Sequence, residues 1–523
     1  MIFFLILKYL FLRFAVYEKN KCIMKKTVVN LLTGALILTA LVSVSCGKEL
    51  PALSIDLQNP AEEEVVELAI SQGDTLEIPF KVGALEGFAV SANVECSDKN
   101  YQTSVELSNN GASGVVTVIA PDFIFEDATV KVNLTVTDAE NSRNQTMEIE
   151  VAAKSILENL AVPANCHLVS PGAFVKFAAV KGNTTESVGT VAKVELLWED
   201  AVGLVDSVFT LNNTELYVLV NKELVGNALV CAKDADETIL WSWHMWVSAE
   251  DATANSMEYT YVPADGSAST TFYFMDRNVG ALTSKLGSAD VNGCFYQWGR
   301  KDPFPGPTYE CTYKKIYDAN GEEVAITSAT PQVVNNIDTA IKTPLTYYLH
   351  TSSNNKGNYS WITNNALSVK AEDVNNLWGG ISKTKTIYDP CPAGYRVPQL
   401  AAWQFLSDSN VTKTHVDKDG VDVTTNVHTD KAGLKVACGE NNFYFPYQGQ
   451  TTNMTSTSSL VYSYGAGNGN PQGSLWSSQF DGNFNGTSAS YFRAYTCNIR
   501  SYSLSYYATY NLHYANGVRC IKE

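Results

Sequence analysis

Cysteine and histidine are the side chains of this 523-residue sequence with most chemistry to offer, and it holds eleven of the first and six of the second. The histidines, at 167, 244, 350, 415, 428 and 513, form no His-Glu-x-x-His pair and no Cys/His set at zinc-ligand spacing. No Gly-x-Ser-x-Gly elbow, phosphate loop or dinucleotide fingerprint occurs, so no catalytic residue, cofactor or metal is expected. His244 lies among aromatics with no ligand neighbour, which predicts a half-buried, hydrogen-bonded ring. In "VDKDGVDVTT", Asp417, Asp419 and Asp422 surround Gly420, and hard oxygens at short spacing suit Ca²⁺. The bidentate acid that closes an EF-hand-type loop is missing, so an Asp-Gly turn between β-prone residues is the simpler account. Trp241, Trp243 and Trp246 in one strand, and Trp298 in "FYQWGRKDPF", could stack on sugars, but such rings more often fill cores.

One cysteine is fixed more firmly than the rest. "DPCPAGYRVPQLAAWQFL" (Asp389–Leu406) sets Cys391 between Pro390 and Pro392, each of which fixes its own φ and restricts the residue before it. Pro398 suits a first helical turn, and Leu400, Trp403 and Leu406 recur on one apolar face, predicting a short helix over 399–407. A partner for such a thiol requires a compartment that permits disulfides. From Met24, which reads as the true start, "MKKTVVNLLTGALILTALVSVSCGKE" has the charged start, short apolar core and small-residue end of a secretory signal. The region 1–45 is therefore read as signal. Ending at Cys46, it resembles a bacterial lipoprotein signal, which implies cleavage before Cys46 and lipid on that residue; Ser43 stands where that family has leucine. Export permits disulfides. Residues 1–45 carry a net +5, so their removal takes the formal charge from −17 to −22. A surface that negative argues against nucleic acid and anionic lipid as partners.

The length suggests about three domains of roughly 150 residues. A lipidated tether is expected over 46–66. Alternating stretches "TLEIPFKV", "GVVTVIA", "ATVKVNLTVTD" and "TMEIEVAA", divided by turn clusters, then predict an Ig-like β-sandwich spacer over 67–153. A second β-rich domain is expected over 154–265. In its strand 239–247, Ile239, Trp241, Trp243, Met245 and Val247 share one face, and Leu240, Ser242, His244 and Trp246 the other. Residues 266–523 shift toward Tyr, Asn, Ser, Gly and Trp, with polar loops such as "YSYGAGNGNPQGS" where ligand binding is expected.

Within that last region "FMDRNVGAL" (274–282), "GCFYQWGRKDPFPGP" (293–307), "DPCPAGYRVPQLAAW" (389–403), "SLWSSQF" (474–480) and "NGVRCIKE" (516–523) stand in order. Together they resemble the major paralogous domain first named from Fibrobacter, common in lipoproteins of Bacteroides-type bacteria, with fimbrillin-like relatives. The resemblance covers about 155–523. It implies an α+β, C-type-lectin-like domain, so the fold expected for the chain is mostly β, with N-terminal β-sandwiches followed by that domain. It also implies a disulfide between Cys391 and Cys520 that joins the helix to the last strand. Where the family opens this helix with Thr and has Glu three residues later, Gln399 and Ala402 stand here, so the capping box is lost.

Calcium-dependent lectins use Glu/Gln-Pro-Asn/Asp and a downstream Trp-Asn-Asp. Here Asn470-Pro471-Gln472 and Trp476-Ser477-Ser478 replace them, which leaves Asn470 and Gln472 to coordinate or hydrogen-bond a sugar without the carboxylate of either motif. Formylglycine-generating enzymes share the scaffold, yet Cys294, Cys311, Cys438 and Cys497 read more simply as structural disulfides or buried thiols. The expected function is therefore non-enzymatic: an outer-membrane lipoprotein, exposed at the cell surface, that binds a glycan or protein as an adhesin or fimbria-associated subunit. A purely structural fimbrial subunit and a formylglycine-generating-type enzyme are the alternatives.

Overall fold

The computed structural model describes residues 52–58, 68–83, 90–309, 311–350, 360–364, 374–425, 427–454, 460–463, 465, 469–481 and 492–523. The signal region and Cys46 lie outside them. The chain is nearly all β and divides into two compact units, one ending at Pro121 but including Thr129–Ala153, the other made of Asp122–Ala128 and Lys154–Glu523. Among the described residues, no helix is long and apolar enough to cross a membrane.

In the first unit the period-2 pattern does what it should. Ile78, Phe80 and Val82 alternate inward along Thr75–Gly83, as do Val132, Leu134 and Val136 along Ala128–Asp138, and all six are buried. Two four-stranded sheets result. One orders Ser54–Leu57, Thr75–Gly83, Ser113–Ile119 and Gln102–Ser108; the other orders Ala69–Ser71, Arg143–Lys154, Ala128–Asp138 and Val90–Cys96. The tether expected over 46–66 is shorter than that. Ser54–Leu57 pairs antiparallel with Phe80–Gly83 and buries Ile55, so this segment belongs to the sandwich.

The second unit opens with another pair of sheets. Cys166–Val169, Ile239–Val247, Gly226–Lys233 and Lys193–Glu199 face Val205–Phe209, Glu215–Val220, Phe174–Ala178 and Leu157–Asn159 across a core containing Val175, Val218, Trp241, Trp243 and Met245. The Trp stripe is thus core. The boundary expected at 265/266 separates no compact bodies, because it falls in the turn of an antiparallel hairpin between Ser256–Tyr261 and Thr270–Met275. Thr270–Met275 in turn pairs with Ile521–Lys522, which pairs with Tyr395–Arg396, so the chain's end is sewn between its 270s and 390s. A seven-stranded sheet follows the order Leu460–Ser463, Gln450–Met454, Ala515–Gly517, Gln472–Asp481, Arg493–Arg500 and Ser503–Asn511, with Phe295–Gln297 added beside Ala515–Gly517.

The expected helix is present as a 3₁₀ helix over Leu400–Leu406 rather than an α-helix. Spacing explains this: residues 400, 403 and 406 are three apart, the repeat of a 3₁₀ helix, and Trp403 and Leu406 are buried. Gln399 makes no side-chain cap, as the lost capping box implies. The Leu400 N–H donates instead to Gln479 Oε1 at 2.8 Å, a cap supplied from a distant strand.

Candidate functional site

The motif residues fold into scaffolding. Cys391 and Cys520 form a disulfide with Cα atoms 6.0 Å apart, and both are buried. Asp389 sets the loop before it: its buried carboxylate accepts the N–H of Cys391 and of Val397, each at 2.9 Å. Burial pushes that carboxyl's pKa up, against the opposing charge of Lys385 and the two backbone donors. Trp298 is buried, donates to the Ser477 carbonyl at 2.9 Å, and lies 5.8 Å from the ring of Trp378, so it is core and no sugar platform. Trp476 is likewise buried and donates to the Tyr296 carbonyl.

His244 is fully buried, where a half-buried ring was expected. Its Nε2 meets Asn227 Oδ1 at 2.9 Å and its Nδ1 meets the Tyr296 hydroxyl at 3.3 Å, while desolvation pushes its pKa down to about 3. The reason is tertiary. The second face of the Trp strand is covered by the C-terminal region, where Lys301 and Asp302 also bond to Ser242.

Asp417, Asp419 and Asp422 do not converge. Asp417 Oδ1 accepts the N–H of Asp419 and of Val421, Asp419 pairs with Lys418, and Asp422 pairs with Lys435. Gly420, at φ +79°, donates back to the Asp417 carbonyl, giving a turn. Cys294, Cys311, Cys438 and Cys497 form no disulfide among the described residues. Burial pushes the thiols of Cys294 and Cys497 well up and that of Cys311 to about 11, away from the reactive thiolate.

Asn470 and Gln472 meet in one place, a cavity of about 530 Å³ at the end of the seven-stranded sheet. Strand pairing builds it. Leu475 lies opposite Cys497 and both enter the core under the sheet; three residues back along the same ladder, and so on its other face, Gln472 lies opposite Arg500. The two-residue turn Ser501-Tyr502 returns the chain into Ser503–Asn511, which brings Thr509, Tyr510 and Asn511 to the lining. Gln450, Arg493, Tyr502 and Tyr514 complete it. Arg500 Nε donates to Gln472 Oε1 at 3.1 Å, and its terminal nitrogens donate to the hydroxyls of Tyr502 at 3.3 Å and Tyr510 at 3.2 Å. With its amide turned to suit its neighbours, Asn498 also accepts from Arg500 at 3.1 Å. Gln472 is only 4% exposed, and its Nε2 has no hydrogen-bond partner among the described residues. Asn470 is exposed at the rim.

A second cavity, of about 650 Å³, is lined by Glu158, His167, Glu250, Asp251 and Pro392. Its Glu250 pairs with Arg277, and the His167 ring lies tilted 4.2 Å from that of Phe177. None of the residues singled out for sugar binding lies there.

The lining residues beyond Asn470 and Gln472 sit outside every family-like motif. The signal that marks five of them is the run "IRSYSLSYYATYN", a strand and turn with tyrosine or serine at most positions, whose Leu504 and Tyr506 pack on the core while Arg500, Tyr502, Thr509, Tyr510 and Asn511 line the cavity.

No family model and no curated protein matches the chain. Solved structures similar to it include a chimeric titin Z1Z2 functionalized with a KLER exogenous peptide from decorin, at TM-score 0.15 and 14% identity, covering 38% of this chain and 99% of that one. Drosophila N-cadherin EC1-4 gives 0.16 and 11%, over 37% of this chain and 49% of that one. The cadherin-like domains 1 to 4 of zebrafish RET give 0.15 and 12%, over 38% and 51%. The chain thus spans about half the length of those two cadherin-type chains. Likenesses this loose carry no argument, and the fold stands on its own strand pairing.

Proposed function

We propose that this chain is a non-enzymatic binding protein, anchored by lipid at Cys46 and displayed at the outer-membrane surface. Its lectin-like C-terminal region takes a glycan or protein segment, in the manner of an adhesin or fimbria-associated subunit. The observation that carries this reading is the cavity lining: amides from Asn470, Gln472 and Asn511, phenols from Tyr502 and Tyr510, and the Arg500 guanidinium. Side chains of these types bind hydroxyl-bearing ligands through directional hydrogen bonds and ring faces. Surface display is supported by the export signal and by a sandwich placed between Cys46 and this region.

The test is a glycan-array and pull-down screen using the purified chain with Cys46→Ser, which removes the lipid site. Binding that weakens on Asn470→Ala combined with Tyr502→Ala is expected. Absence of any ligand, or binding indifferent to both substitutions, overturns the reading.

A further inference from the structure

We propose that the ligand is an acidic saccharide, its carboxylate or sulfate group paired with Arg500 and the Gln472 amide. This deepens the function proposed above and rests on that cavity being a binding site. The chain carries 54 acidic residues against 37 basic ones, yet among the described residues no Asp or Glu lines this cavity, while Arg493 and Arg500 do. Among the described residues Arg500 makes no ion pair; each acceptor that meets it is a neutral amide or phenol oxygen. A guanidinium stays ionised in any such setting, so its charge is uncompensated where a ligand would enter.

The second observation is independent of charge. Gln472 Oε1 is occupied by Arg500, so the amide is oriented with Nε2 as a donor, buried beside the same guanidinium and unpartnered among the described residues. Unmet buried donors are costly and uncommon in finished cores. A planar carboxylate or a sulfate supplies anionic oxygens to both groups at once, a charge-assisted pair that a neutral hydroxyl cannot match. Tyr502, 54% exposed and 5.9 Å from the Arg500 guanidinium, offers its ring to the adjoining sugar. The chain's overall negative charge is no obstacle, because salt screens exposed charges beyond about 8 Å.

Calorimetry on the purified Cys46→Ser chain decides the matter. The probes are a galacturonate oligomer, a sialylated oligosaccharide and a sulfated oligosaccharide, each beside an uncharged counterpart (methyl ester or unsulfated form). At least one acid is expected to bind roughly tenfold tighter than its neutral form, with the advantage shrinking as salt rises. Carboxylate and sulfate sources are told apart by which arm shows it. Arg500→Gln should abolish the advantage, and Arg500→Lys should retain part of it, with the unfolding midpoint of each variant followed as a check on folding. Equal binding of charged and neutral forms overturns this inference and leaves glycan binding standing. So does an acid preference that survives Arg500→Gln in a folded protein. Failure of every saccharide to bind overturns this inference; the reading above falls with it only if the glycan-array and pull-down screen also finds no ligand. The comparison of acid with neutral form needs no variant, so a misfolded Arg500→Gln does not rescue the proposal.

Discussion

Cys391 and Cys520 are 129 residues apart in sequence and covalently joined, and the bond closes a loop that contains the candidate cavity's principal strands. Asp389 and Lys385 reinforce one end of it. The Lys385 ammonium donates to the carbonyls of Cys391, Pro392 and Tyr395, and Asp389 holds the N–H groups of Cys391 and Val397.

In the chain-entropy account a loop of that length stabilises by about 4–5 kcal/mol. Paired Cys391→Ser and Cys520→Ser substitutions should therefore lower the urea midpoint of the second unit steeply, and dithiothreitol should do the same to the unaltered chain. A loss under about 1 kcal/mol would show that strand pairing alone holds the terminus.

Two aromatic residues should separate stability from binding. Trp298→Ala empties a fully buried site and orphans the Ser477 carbonyl, at about 3–5 kcal/mol. Tyr502→Ala removes a largely exposed ring from a two-residue turn and should change stability by about 0.5 kcal/mol or less, while weakening saccharide binding. Denaturant unfolding measures the first quantity and calorimetry the second. The reverse ranking would place the ligand elsewhere.

The contrast between these two residues also shows what was legible beforehand. Alternation of period two marked the Trp241–Val247 faces and four strands of the first sandwich, because one side of each is apolar. It said nothing of Val90–Cys96 or Gln102–Ser108, which bury no residue fully and follow from pairing alone. His244 was misjudged because the partner that covers it, Tyr296, lies 52 positions away. The cavity was half legible: Gln472 stands in the place of a lectin motif, but Arg500 belongs to no motif and meets it only through a ladder that joins residues 28 positions apart. The two cysteines were accessible because proline fixes one and the family resemblance supplies the other.

The Asp-Gly turn gives a test of whether calcium has any part here. Asp417 spends its carboxylate on two backbone N–H groups, and Lys418 and Lys435 draw the other two acids apart. Millimolar Ca²⁺ or a chelator should leave the unfolding midpoint unchanged. Gly420→Ala has room for its methyl group, with nothing nearer than 3.4 Å, so its cost is the positive φ alone, about 1 kcal/mol. A rise of several degrees with Ca²⁺, abolished by Asp417→Asn, would refute the turn reading.

Acid should destabilise the second unit through its histidines. Burial pushes the pKa of His167 and His244 down to about 3; in His415 burial, aided by the charges of Lys431 and His428, pushes it to about 4. Their unfolded value is about 6.5. Between those limits the unfolded chain binds protons that the folded chain refuses, so stability is complete above about pH 6.5 and falls as pH drops toward 4. Each ring contributes a slope of up to about 1.4 kcal/mol per pH unit. Asp389 and Glu199 act in the opposite sense, since desolvation raises their pKa values and penalises the ionised form. Three rings act in one sense against two carboxyls in the other, so a net fall in stability is expected between pH 6.5 and 5. Urea midpoints measured across that window should fall, and His415→Gln, the least buried of the three sites, should flatten the slope by about one proton. A flat profile, or a variant as steep as the original, would mean that these rings accept protons inside the fold.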